Sequence, residues 1–179
     1  MRSLLFSLLI MSICVVSCKK KESEERGIPP NEASIKDLNE TSSTENATFA
    51  DTKNEKLFAN YLEIKKALVN SDAQAVKKAA RNFSDSFKTD STYTSTRQVA
   101  VLISREDDLA KQREFFVGLT DEVTSRLKND IQEGKLFKQF CPMAFEGKGG
   151  YWLSNSKEIR NPYFGDQMLK CGEVTETIQ

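Results

Sequence analysis

Four sulfur-bearing side chains near the C-terminus are the most concentrated chemistry in this sequence: Cys141, Met143, Met168 and Cys171. On an extended strand residues i and i+2 point to one face, which suits Cys141 and Met143. One helical turn brings i and i+3 together, which suits Met168 and Cys171. If the two segments meet, two thiols and two thioethers converge. Soft thiolate and thioether ligands select Cu(I) and require no imidazole. Zinc fits less well, because structural zinc sites draw on cysteine and histidine, not methionine. The same residues serve a plainer purpose as a structural Cys141–Cys171 disulfide, with Met143 and Met168 as core fillers. Residue types and spacing leave both readings open.

Other chemistry is narrowed by what the sequence lacks. It contains no histidine, which removes the commonest general base, metal ligand and near-neutral pH switch together. No Ser-His-Asp or Cys-His pair can form. Asp107-Asp108 and Glu24-Glu25 are chain neighbours that do not face one another, so they read as solvated faces. Gly147-Lys148-Gly149-Gly150 lacks the spacing of a phosphate-binding loop and reads as a hairpin turn. No enzyme is expected. Tyr151, Trp152, Tyr163 and Phe164 are expected as packing aromatics, with Trp152 and Arg160 as one candidate cation–π pair.

The N-terminus sets the compartment. Arg2 precedes a thirteen-residue apolar run, Leu4 to Val16, broken only by Ser7 and Ser12. That run is short of the ~20 residues of a membrane-spanning helix but suits a signal peptide. It ends in Val15-Val16-Ser17-Cys18, which resembles the bacterial lipobox, and Lys19-Lys20-Lys21 follows at once. Residues 1–17 are therefore expected as a cleaved signal, with Cys18 carrying acyl chains that hold the protein on a membrane. The expected location is the cell envelope, at the outer membrane. Cleavage removes one of the 26 basic residues and none of the 26 acidic ones, leaving 25 against 26. A net charge near −1 offers no footprint for nucleic acid. With Cys14 removed and Cys18 acylated, Cys141 and Cys171 are the remaining thiols, in a compartment where thiols tend to pair.

The elements that must position these groups follow from composition and periodicity. Residues 19–53 are polar, contain Pro29-Pro30 and show no sustained apolar period. With Cys18 they are expected as a disordered tether, residues 18–53, with a span on the order of 33 Å. From Asn54, Leu57, Tyr61, Ile64 and Leu68 mark one helical face. Ser71 to Gln74 has the form of a capping box, and Val76, Ala80, Phe83 and Phe87 mark a second helix. Val99, Leu102 and Ile103 belong to a third stretch near 96–104. Leu109, Phe116, Leu119, Val123 and Leu127 run through 106–129, as part of the same helix or a separate one. Beyond Gly134, apolar runs at Leu136 to Phe145 and Tyr151 to Leu153 flank the glycine turn and suggest a β-hairpin. Residues 54–179 are thus expected to form one mainly α domain, a small helical bundle with a C-terminal irregular β-hairpin cap.

Cys141-Pro142-Met143-Ala144, Tyr151-Trp152-Leu153-Ser154, Asn161-Pro162-Tyr163-Phe164-Gly165 and Met168-Leu169-Lys170-Cys171-Gly172 resemble the motifs of an uncharacterised domain family of exported bacterial proteins. Some members are joined to adaptor subunits of heavy-metal efflux pumps. The resemblance implies a soft-metal role and a metal-efflux or other envelope partner. Cys-Pro-Met also resembles a Cys-Pro-Met-His-Pro motif of short heavy-metal-binding domains, although Ala144 stands where that histidine would be.

Overall fold

The computed structural model describes residues 36–179. The signal segment 1–17, Cys18 and the tether as far as residue 35 lie outside the described residues. Apolar spacing accounts for most of the helices. In α1 (Thr52–Val69), Leu57, Tyr61, Ile64 and Leu68 are all fully buried, as their 4-3-4 spacing requires. In α2 (Ala73–Ser86), Val76, Ala80 and Phe83 are buried, as is Phe87 just beyond it. In α4 (Leu109–Leu127), Phe116, Leu119, Val123 and Leu127 form the inner stripe. Each such large side chain contributes about 1.5–3 kcal/mol on full burial. The shorter α3 (Thr94–Arg105) buries Thr96, Ala100, Ile103 and Ser104, and leaves Leu102 50% exposed. Leu102 therefore does not belong to the inner face.

Aspartates set the starts of α1, α2 and α4. Asp51 caps α1 by accepting from the Lys53 amide. Asp72, not the expected Ser71, caps α2 by accepting from Gln74 and Ala75, while Ser71 takes a left-handed φ of 56°. The stretches around 96–104 and 106–129 are two helices. Between them Glu106 Oε1 accepts from the Asp107 and Asp108 amides, and Asp108 caps α4 through the Ala110 and Lys111 amides. Asp108 thus satisfies amides that a helix start leaves without partners.

Helices α1 to α4 pack in chain order, and α4 returns onto α1. The cap carries β3 (Leu136–Cys141) and β4 (Gly150–Ser154) as the expected antiparallel hairpin. It holds one strand more than expected: β5 (Glu173–Ile178) pairs with the free side of β3, giving the order β4-β3-β5. The fold is mainly α with a small β cap. The cap rests on α4 through β4. Tyr61 pins the junction, its hydroxyl accepting from the Leu153 amide at 3.0 Å and meeting Thr120 Oγ1 at 2.8 Å.

The folded unit begins at Lys36, not at Asn54. Residues 36–53 do not behave as the expected tether. β1 (Thr48–Phe49) pairs with β2 (Ile131–Glu133), and Phe49 is 4% exposed with its ring edge-on to Phe58. Upstream, Asp37 binds Lys66 at 2.8 Å and Asn70 at 2.7 Å. Composition misled here because one aromatic and a series of polar bonds hold the segment, without any apolar period. Gly134 marks the crossing: with φ +77°, its Cβ would lie 2.0 Å from the Asn46 carbonyl oxygen.

Candidate soft-metal or disulfide site

Cys141 ends β3 opposite Gly150 and is fully buried. Cys171 follows a 3-10 turn, Gly165–Met168, and is partly buried. Their sulfurs lie 3.1 Å apart. Two local features bring the second thiol to the first. Asn161 holds the returning chain, its amide donating to the Cys171 carbonyl at 2.8 Å and its own backbone N–H to Leu169 at 2.9 Å. Gly172 lets the chain pass beside the sheet. At φ +136°, a Cβ there would lie 2.8 Å from the Phe140 carbonyl oxygen and 2.9 Å from Trp152 Cη2. A side chain at 172 would push Cys171 away from Cys141.

The methionines are placed differently from each other. β3 ends at Cys141, and Met143 sits in the following turn with φ −82° and ψ −13°. The i, i+2 strand argument therefore fails for Cys141 and Met143. Cys141 faces the core, whereas Met143 is 56% exposed. Two chain steps still keep their Cα atoms within about 7 Å. Met168 closes the 3-10 turn, and the Cys171 amide donates to its carbonyl at 2.9 Å. That bond closes a turn from Met168 to Cys171, and Cys171 itself lies beyond the 3-10 segment. Neither methionine serves as a core filler, since Met143 is exposed and Met168 is half-buried.

The sulfur separation favours neither chemistry outright. A disulfide bond is about 2.05 Å long. Two thiolates sharing an ion at about 2.3 Å would lie roughly 3.8 Å apart or more. Movement of about an ångström by the half-exposed Cys171 segment reaches either. The hydrogen bond to Cys141, together with burial, pushes the Cys171 thiol above its ordinary range, so Cys171 is protonated at neutral pH. Among the described residues no three His, Cys, Asp or Glu side chains converge. The donors that meet are two cysteine sulfurs, and thioether sulfur nearby would suit a soft ion better than zinc.

The surrounding aromatics are packing groups. Trp152 and Tyr163 meet edge to face at 5.8 Å, and Phe145 and Phe116 flank Tyr163 at 5.0 and 6.3 Å. Arg160 does not sit over Trp152. It donates to the Glu40 carbonyl at 2.8 Å and pairs with Glu158 at 3.0 Å. The cation–π pairs among the described residues are Arg126 over Tyr93 at 4.2 Å, Lys138 over Tyr151 at 4.6 Å and Lys157 over Phe137 at 5.7 Å. Sequence reasoning missed Lys65, an α1 lysine that is 3% exposed. Its place beside Ile64, within the buried helical stripe, was the available signal.

No curated protein matches the chain, and no solved structure does. Residues 57–134, which run from α1 through β2 and stop short of both cysteines, match the family model described as "Protein of unknown function (DUF3347)", so the helical part resembles an uncharacterised family.

Proposed function

We propose that the chain is an envelope lipoprotein, acylated at Cys18, whose cap offers Cys141 and Cys171 to Cu(I) in metal handling or efflux. Met143 and Met168 complete the donor set. The supporting observation is the 3.1 Å approach of two thiols from segments thirty residues apart, in a protein without histidine. An exposed thioether within two residues of one thiol, and a second one turn from the other, serve no purpose in a staple. Bound Cu(I) would be held by soft sulfur ligands and kept from harder partners. The chain's own task is to give up the two thiol protons and hold the sulfurs at fixed spacing. Because ion and protons compete, affinity rises with pH up to the thiol range, by up to roughly a hundredfold per unit for two protons.

A second reading, of another class, rests on the same approach of the two sulfurs, in a compartment where thiols tend to pair. In it the pair is a disulfide, and the domain is a stapled module that binds an envelope partner without metal. Anaerobic titration of the mature protein with Cu(I) against a chromophoric chelator separates the two. The metal reading expects one equivalent bound with both thiols free beforehand, weaker binding in Met143→Leu and Met168→Leu at unchanged melting temperature, and none in Cys141→Ser. Freshly purified protein with no titratable thiols, or equal affinity in both methionine variants, overturns it.

A further inference from the structure

Residues Asp37–Glu45 cross the domain like a bound peptide. Asp37 Oδ2 meets Lys66 Nζ at 2.8 Å, and its other oxygen accepts from Asn70 Nδ2 at 2.7 Å. The Leu38 amide donates back to Asn70 Oδ1 at 2.8 Å. Asn39 Oδ1 accepts from Lys65 Nζ at 2.9 Å, and the Glu40 carbonyl accepts from Arg160 Nε at 2.8 Å. The Ser42 amide donates to Glu158 at 2.7 Å, and the Glu45 amide to the Asn155 carbonyl at 2.7 Å. These bonds are polar, those of Asp37 to Asn39 part-buried and those of Glu40 and Ser42 exposed, and each is worth little net. The fit beneath is incomplete. A cavity of about 420 Å³ lies against the segment, walled by Asp37, Asn39, Glu63, Lys65, Ser154 and Asn155. Among the described residues no carboxylate lies within ion-pair distance of Lys65, and its acceptor is Asn39 of this segment.

We propose that Asp37–Glu45 is a displaceable strap occupying a peptide-binding groove, and that the groove receives an extended partner segment presenting a carboxylate to Lys66 and carbonyls to Lys65 and Arg160. The strap is the template for that ligand. Its acceptors occupy the three basic groups of the groove floor, and its amides find acceptors at Asn70, Glu158 and Asn155. A partner segment repeating the pattern exchanges like for like. The strap's own advantage is its high effective concentration. This inference is independent of the sulfur site.

The probe is a fluorescein-labelled peptide of residues 36–46, added to the mature chain and to its Asp37→Ala/Asn39→Ala variant. The expected result is saturable binding to the variant and roughly tenfold weaker binding to the wild type, whose tethered strap competes. A peptide lacking the Asp37 and Asn39 side chains binds neither. No binding to a cooperatively melting variant overturns the proposal. Should the variant not fold, hydrogen exchange on the wild type decides. Faster exchange at Leu38, Ser42 and Glu45 than in β3 supports a strap that opens by itself. Exchange as slow as β3 means it opens only with global unfolding, and the proposal fails.

Discussion

Lys65 shows how much a single side chain can alter the response of a histidine-free protein to pH. Burial is the main cause, and Arg160 adds repulsion, pushing its amine down to about 7, while Asp37 offsets part of this. Lys66, Glu40 and Glu63 lie on the same groove. In the unfolded chain the amine titrates near 10.4. Between pH 7 and that value the unfolded state holds a proton that the folded state lacks, so stability rises with pH across the window and levels off below 7. Lys65→Met is expected to remove this slope and to stabilise the domain at pH 7 by on the order of a few kcal/mol. Urea unfolding of both proteins at pH 7, 8 and 9 checks it, with equal slopes as the refuting result. The one signal in the sequence was its place beside Ile64, in the buried stripe of α1.

At the scale of elements, the N-terminal stretch carries the clearest consequence. Phe49 enters the core through a two-residue strand, and its ring meets Phe58 at 6.1 Å. Phe49→Ala is expected to cost about 3–5 kcal/mol. A chain starting at Asn54 would lose more, because Phe49, the Asp51 cap and the strap all go together. Thermal melts of these proteins measure the cost, and melting within a few degrees of the mature chain would refute it. The helices of the bundle were legible because long amphipathic stripes repeat one signal several times over. Phe49 states its signal once, in polar company. β5 was missed for a related reason: Glu173–Ile178 is largely exposed, and its place beside β3 is fixed by backbone pairing and not by an apolar pattern. At the sulfur site, the meeting of Cys141 and Cys171 was legible from chemistry alone. The turn that removes Met143 from the strand face was not, because β3 stops at Cys141 and the pleat argument ends with it.

For the whole molecule, the cysteine pair sets the end of β3 beside the chain that follows the 3-10 turn. The family match stops at residue 134, and both cysteines come later. The matched residues thus lie in the bundle and β2, and the cysteine pair lies outside them. Oxidation would close a loop of about thirty residues and stabilise the folded state by about 3.5 kcal/mol, or roughly 10 °C for a domain of this size. Melts of the oxidised and reduced mature protein measure this, with Cys141→Ser as the control in which the two coincide. Equal melting of the two wild-type forms would mean that the pair does not close.

The sequence has a single tryptophan, and Trp152 is fully buried with its indole N–H unpartnered and its ring edge against Gly172. The neighbour of Gly172 is Cys171. The molecule therefore carries one indole fluorophore, shielded from water and set beside the one pair of thiols among the described residues. Sulfur–sulfur bonds and copper both quench indole emission at short range. Emission intensity should thus report the state of the pair directly, falling on oxidation or Cu(I) loading, and staying level in Cys171→Ser.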